Sequence, residues 1–398
     1  MAAIHYLRVG WVVDGKGGPI HRDRLLRLEG GIITAIEAYR QGDRPDPAIT
    51  ADFSQCTILP PLVDAHVHLF MSGTTDRERR QWQVSASYEQ LLPAMRRHAV
   101  DFLRCGILAV RDGGDQGGYA LRFRQSPAMP EGLLLKVVGR AWHKEGRYGR
   151  IIGRSPRPDE TLAEAVAGES QDIDQVKIVN SGYNSLKVYG LETQIQFTAE
   201  ELREAVIVAS KAGKPVMVHA NGREPIRGAL LAGCHSIEHG FFMGRENLEM
   251  MAARGVFWVP TVYTMKSFLA NFAQLGGDAK RNVVAANLDH QLEQLALARQ
   301  LGVPVALGTD AGSLGVHHGQ SLGEELQLVL DAGYGVTEAI ACATANGAKL
   351  LGIRDFGLLE KGRAATFLVA PGSPAELPGT LRSLRHIYLR GTPLALLG

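Results

Sequence analysis

The chain has 398 residues, with 43 Lys+Arg against 41 Asp+Glu for a formal net charge of +2, and 45% of its residues are hydrophobic. That length can bury a large core, and the composition excludes a disordered, collagen-like or coiled-coil chain. Near-balanced charge removes the long-range field on which a non-specific nucleic-acid or acidic-membrane binder depends, so neither is an expected partner.

At the N-terminus, MAAIHYLRVGWVVDG lacks the basic stretch and unbroken apolar stretch of a secretory signal, and no uncharged apolar run approaches the ~18 residues of a membrane span. Cys56, Cys105, Cys234 and Cys342 lie far apart with no CxxC pair, which reads as the reduced thiols of a cytoplasmic protein. HYLRVGWVVDG (5–15) and RLLRLEGGIITAIEA (24–38) are short apolar stretches broken by glycines, the pattern of strands in a small all-β unit. GKGGP (15–19) reads as a turn, since it lacks the GxxxxGK spacing of a phosphate cradle.

The centre, residues 60–357, alternates β-rich runs with helical patterns. The runs are LVDAHVHLF (62–70), ILAVRDGG (107–114), LLKVVGRAW (134–142), QVKIVNSG (175–182), PVMVHANG (215–222), SIEHG (236–240), VFWVPT (256–261) and PVALGTDAG (304–312). TAEELREAVIVASKAG (198–213) carries an N-cap Thr, a Glu three residues on and a glycine stop, which predicts a helix. The basic pairs of RERRQW (77–82) and AMRRH (94–98) read as an exposed helix face. Eight such units suit a (β/α)8 barrel, which needs ~250 residues plus insertions. A doubly wound open sheet competes, although no GxGxxG follows the first run. ATFLVAPG (365–372) and LRHIYLRGTPL (384–394) resemble the first sixty residues, so 1–59 and 358–398 are expected to form one β domain beside the barrel.

Barrel enzymes place their chemistry where strands run into the loops after them. His66 and His68, two residues apart, point to the same side of the first run. The fourth run carries Lys177, the fifth His219, the sixth His239 and the eighth Asp310. Each has an ordinary alternative: a strand histidine is often a hydrogen-bonded core residue, and an aspartate can cap a helix. Their coincidence at strand ends points instead to divalent metal, with zinc favoured by imidazole nitrogen. Two adjacent metals require a bridging anion. A lysine whose ammonium form is disfavoured can lose its proton and capture carbon dioxide, so N6-carboxylysine at Lys177 would offer one oxygen per metal. A hydroxide bridging the two metals would attack a carbonyl, with Asp310 carrying its proton to the leaving nitrogen. Asp64 and Glu238 are candidates for orienting the imidazoles.

PPLVDAHVH, VKIVNSG, VMVHANG, SIEHG and GTDAG, in that order, resemble the metal-dependent amidohydrolase superfamily, and within it the binuclear prolidase and imidazolonepropionase-like branch. GVFWVPT, ATANGAKLLG and GLLEKGRAATFLV follow the same course, so the likeness covers nearly the whole chain. The resemblance implies His66, His68, carboxylated Lys177, His219, His239 and Asp310 as ligands of a two-metal centre. It implies a small β-sandwich made by the end strands, and a homo-oligomer. It also implies substrate contacts for His143, after the third run, and His318, in the His-Gly pair after the eighth.

Further substrate candidates sit in the loops: Asn221 and Arg223 in HANGRE, and Arg147 and Tyr148 beside His143. The arginines could clamp a substrate carboxylate. Asn221 stands where the family often has an aromatic or histidine, and WHKEGRYG replaces its usual TGGHGD-like turn, which argues against a plain Xaa-Pro peptidase. The expected function is a binuclear metal hydrolase cleaving the amide or C–N bond of a dipeptide, N-acyl amino acid or cyclic amide. Alternatives are a lactonase or phosphotriesterase-type hydrolase, a mononuclear deaminase (whose HxxE acid would fall at Gly222) and a metal-free scaffold barrel.

Overall fold

Alternating apolar side chains set the first strands, β1 (Ile4–Val12), β2 (His21–Glu29), β3 (Ile32–Ala38) and β4 (Ala51–Leu59). The computed structural model describes residues 3–40, 49–275 and 277–395. Of the terminal unit expected from sequence, 1–2, 41–48 and 396–398 lie outside the described residues. Gly30 and Gly31 turn β2 into β3 with φ of 59° and 77°, the left-handed geometry that a tight hairpin needs.

The central strands are β5 (Leu62–Val67), β6 (Ile107–Asp112), β7 (Leu134–Val137), β8 (Ala141–Trp142), β9 (Gly153–Arg154), β10 (Val176–Val179), β11 (Val216–Ala220), β12 (Ser236–His239) and β13 (Phe257–Val259). The chain ends with β14 (Phe367–Pro371), β15 (His386–Leu389) and β16 (Thr392–Pro393).

The end strands, expected to form a small β-sandwich, make one mixed sheet in the order β16-β15-β14-β4-β1-β2-β3. The β3 end of this sheet also meets the segment leading into β14. Ile33 N donates to Arg363 O, Ala365 N to Gly31 O and Gly391 N to Ala365 O. Strand twist lets a single sheet curl onto its own apolar face, here Leu7, Val9, Leu26, Leu28, Ile33 and Phe367.

The central strands are parallel and almost wholly buried, as strands covered by helices on one side must be. They fall into two sheets, β5-β6-β7 and β13-β12-β11-β10-β8-β9. The fold is therefore α/β, but the eight-stranded ladder expected from sequence is interrupted twice. The third run splits at Gly139, whose φ of 69° breaks β7 from β8. The eighth run, 304–312, forms isolated bridges and no strand, pairing Val305 with Trp258 and Ala311 with Val67. It still bonds on both sides: Ala306 N donates to Trp258 O, and Ala65 N donates to Leu307 O. Asp310 at φ 58° leaves the extended geometry there, and Gly308 packs where a Cβ would lie 2.5 Å from Val259 Cγ1.

Helices between strands begin and stop where their sequences direct. Thr198 and Glu201 form the capping box expected from TAEE, and the helix Ala199–Lys211 buries Leu202, Ala205, Val206 and Ala209 on one stripe. Burial of Leu202 and Val206 contributes about 1.5–3 kcal/mol each. Helices Arg223–Ala232, Gly244–Arg254 and Arg281–Leu301 stop at the left-handed glycines Gly233, Gly255 and Gly302. Among the described residues, no helix is long and apolar enough to cross a membrane.

Candidate metal centre

Parallel pairing brings the C-terminal ends of the central strands to one place. Val179 of β10 sits opposite His219, and Ala220 of β11 opposite His239. From β5, His66 and His68 turn to the same side, with ring centroids 5.4 Å apart. Their Nε2 atoms lie 3.7 and 3.4 Å from Asp310 Oδ1. One ligand atom from each of His66, His68 and Asp310 falls within 4.8 Å of the other two. Lys177 Nζ is 3.1 Å from His66 Nε2. The His239 ring is 5.0 Å from that of His66 and 4.5 Å from that of His219. All six side chains thus meet.

The outward nitrogens of the rings are tied to protein. His66 Nδ1 lies 2.7 Å from Glu238 Oε2, His68 Nδ1 2.9 Å from Gly114 O, and His219 Nε2 3.1 Å from Gly182 O. Carbonyl and carboxylate oxygens only accept, so each facing nitrogen donates and the opposite one keeps its lone pair. His239 Nδ1 meets Thr261 Oγ1 at 2.8 Å, leaving its Nε2 on the open side. Two of these positions hold a backbone that ordinary residues avoid, His239 at φ 66° and Asp310 at φ 58°. Such geometry persists only where surrounding contacts enforce it. For His239, Trp258 Nε1 and Gln291 Nε2 both donate to its carbonyl, at 2.9 and 2.6 Å.

Burial sets the electrostatics. It pushes His68 down to about 3 and His219 to about 4, with the Lys177 charge acting in the same direction, and it holds His66 and His239 well below the usual imidazole range. It pushes Lys177 down to about 8 and Asp310 up to about 6, the latter opposed by the hydrogen bond from Ser313. Neutral imidazoles with converging lone pairs beside a carboxylate are the donor set a divalent cation requires. The space is kept open by Gly113, where a Cβ would stand 2.8 Å from Lys177 Nζ, 2.9 Å from His68 Cε1 and 3.0 Å from His66 Nε2. The residues present therefore fit bound metal.

A buried ionic frame backs the cluster. Arg111 Nη2 donates to Glu238 Oε1 at 2.8 Å and its Nε to Ala65 O at 2.6 Å. Its Nη1 reaches Gln175 and Ser236, each at 3.1 Å. Of the two acids expected to orient imidazoles, Glu238 does touch a ring. Asp64 instead accepts from Thr309 N and Oγ1 and from His66 N, which fixes the segment leading to Asp310.

The cluster opens into a cavity of about 460 Å³, and the residues expected there from sequence divide. Asn221 and Tyr148 line it. Asn221 is held in place, its Oδ1 accepting from Phe241 N and its Nδ2 donating to Gly182 O. His143 does not line the cavity: its Nδ1 lies against Lys144 O, and its Nε2 is buried without a partner among the described residues. His318 stands behind the cluster, with Nε2 at 3.2 Å from His68 O and its ring stacked on His98 at 3.9 Å. Both loops fold back on backbone carbonyls before reaching the opening. Arg223 is exposed at a helix start, with Glu192 accepting from its backbone N–H, and Arg147 bonds to Gln194.

Arg80 was placed on an exposed face by its sequence. It lines the cavity, with Nη1 donating to Ser72 O and Gly312 O, each at 2.8 Å. Asn184 was missed altogether, and nothing in SGYNS distinguishes it from a loop residue. Arg111 had a signal, a cation inside the apolar run ILAVRD.

The model of the Amidohydrolase family matches residues 57–385. The chain is similar to an ochratoxinase of Aspergillus niger, 33% identical over 187 residues, which are 46% of this chain and 37% of that relative's length. It is also similar to an imidazolonepropionase of Paracoccus denitrificans, 25% identical over 420 residues and covering 95% of each chain. Among solved structures, a Xaa-Pro dipeptidase with methionine bound in its active site aligns at 25% identity with a TM-score of 0.81, covering 98% of this chain and 100% of that one.

Proposed function

The chain belongs to the amidohydrolase family, and from that membership we propose that it is a binuclear metal-dependent hydrolase cleaving an amide or related C–N bond of a small molecule. The observation that carries this reading is the meeting of four neutral imidazoles, Lys177 and Asp310 around a space that Gly113 keeps clear. The scaffold we read is a (β/α)8 barrel over 60–357, beside a β domain built from 1–59 and 358–398. Support for closing the ring comes from segment 304–311, which bonds to both β13 and β5, and from Asp174 N, which donates to Val137 O across the other gap.

His66, His68, His219, His239 and Asp310 would hold the metals, and Lys177, as a carbamate, would add an anionic ligand. The amine of Lys177, pushed down to about 8 by burial, has the lone pair needed to attack carbon dioxide, and the N–C bond forms as the nitrogen loses a proton. Divalent metal, when bound, polarises a scissile carbonyl and lowers the pKa of water. Asp310 supplies the proton path: Ser313 Oγ holds its Oδ2, while Oδ1 faces the cluster and can take a proton from the attacking water and return it to the leaving nitrogen. Asn221 and Tyr148 flank the opening and orient the substrate. A deaminase acid is missing, because Gly222 occupies that place and Glu224 is exposed.

Elemental analysis after purification from metal-replete medium, combined with turnover of dipeptides, N-acyl amino acids, cyclic amides, lactones and phosphotriesters, tests the reading. About two metals per chain and cleavage of a C–N bond are expected; fewer than one metal per chain overturns it. Asp310→Asn should retain metal yet lose nearly all turnover, and wild-type activity in that variant would remove the proton shuttle.

A further inference from the structure

The arginines of RERRQW and AMRRH gather at a second cavity, of about 450 Å³. Arg79 reaches it from the helix Arg77–Ser85, and Arg97 and Arg104 from the helix Tyr88–Arg104. This cavity shares no lining residue with the one over the metal cluster. Arg97, Asp101 and Arg104 are spaced four and three positions apart, which puts them on one face of their helix. Among the described residues Asp101 is the one acid on the lining, and its carboxylate lies 3.8 Å from Arg104 Nη1. Arg79 and Arg97 make no ion pair among the described residues.

The rest of the lining includes two buried histidines, His98 and His318. His98 Nδ1 lies 2.9 Å from Leu69 O and His318 Nε2 3.2 Å from His68 O, and their rings stack at 3.9 Å, so this part of the lining is fixed. Burial pushes His98 down to about 4, and the charges of Arg97 and Arg79 act in the same direction. Both guanidiniums therefore bear on the same lining.

Basic residues spread over a convex helix surface are held apart by water and need no partner. Here they come from two helices that meet at a concavity, and a cleft lined by one sign of charge concentrates its field on whatever enters. Guanidinium matches the paired oxygens of phosphate and carboxylate, and the volume is that of a small organic ligand. We infer that this cavity binds a small molecule carrying two or more negative charges on phosphate or carboxylate groups, with Arg79 and Arg97 as its main contacts. The site stands apart from the hydrolytic one and takes no part in the chemistry there.

Calorimetry on the metal-loaded protein with inorganic phosphate, succinate and uncharged succinamide tests the inference. Arg79→Gln and Arg97→Gln, both on exposed helix positions, should each weaken the anion about tenfold at unchanged melting temperature. Arg96→Gln, exposed on the same helix but outside the lining, should match wild type. Tighter binding of phosphate identifies a phosphoryl ligand and tighter binding of succinate a dicarboxylate, and either supports the inference. Full-strength binding in both Arg79→Gln and Arg97→Gln places the anion elsewhere, on the metals for example, and overturns it. Succinamide binding as well as succinate, or no binding of either anion at millimolar concentration, overturns it too.

Discussion

Gly113→Ala is the smallest change that should empty the centre. The added methyl carbon would sit 2.8, 2.9 and 3.0 Å from Lys177 Nζ, His68 Cε1 and His66 Nε2, where ordinary contact begins at 3.4 Å. Its neighbours must therefore retreat by about 0.4–0.6 Å, two to three times the ~0.2 Å that metal–ligand distances tolerate. Gly113 does not have a left-handed φ, so alanine meets this steric conflict and no backbone strain. Overpacking of this kind costs about 1–3 kcal/mol. Expressed as metal affinity that is about 5- to 150-fold, since 1.4 kcal/mol is a factor of ten. Metal per chain after dialysis against a fixed free-zinc buffer, beside a thermal melt, reads the effect. Gly18→Ala, whose Cβ would meet nothing within 4 Å, is the control and should match wild type. A Gly113→Ala protein that keeps both its metal and its turnover would refute the argument that these three side chains share one ion-sized space.

Lys177→Ala should lower metal content, and a short-chain carboxylic acid should restore part of it; unchanged metal binding would remove the carbamate. Arg111→Met strands the fully buried Glu238 beside His66, and breaking a buried pair in this way costs about 3–5 kcal/mol. Its urea midpoint should fall accordingly, and a shift within error would show that the remaining partners of Glu238, Ser236 and His66, suffice. Glu325 is wholly buried, accepting from Val262 N and Tyr263 N, and burial pushes it up to about 8. Its folded value lies above the unfolded one of about 4.5, so between those values the unfolded chain binds fewer protons and stability must fall as pH rises. The slope is at most about 1.4 kcal/mol per pH unit. Urea unfolding at pH 5 and pH 8 should show a smaller loss for Glu325→Gln than for wild type, and equal losses would discard the assignment.

What sequence could reveal follows the physics of each element. The meeting of His66, His68, His219, His239 and Asp310 is readable because each sits towards the end of an apolar run, parallel strands carry such ends to a common side, and Lys177 is a lone cation inside such a run. Capping boxes such as Thr198–Glu201 are local, and were readable for that reason. The eighth run reads as a strand because its apolar content is strand-like. The structure makes it isolated bridges ending at the left-handed Asp310, and its partners, Trp258 and Val67, lie more than forty positions away, outside any window of sequence. Arg80 lies in a basic helix that looks solvent-facing, and only the carbonyls of Ser72 and Gly312 draw it inward. His143 and His318 were matched by motif position, but where their rings point depends on which backbone oxygen they find, Lys144 O and His68 O respectively.

The pairing of β4 with β14 has a consequence for biosynthesis. β4 ends at Leu59 and runs straight through Pro60 and Pro61 into β5, while its partner begins only at Phe367. On a ribosome the early strand must wait for about three hundred further residues before one edge is covered, and an uncovered strand edge invites pairing with another nascent chain. Yield of the native protein should therefore depend on how long that edge stays open, so slower elongation or the absence of holding chaperones should tilt newly made chains toward aggregates that the finished fold does not form.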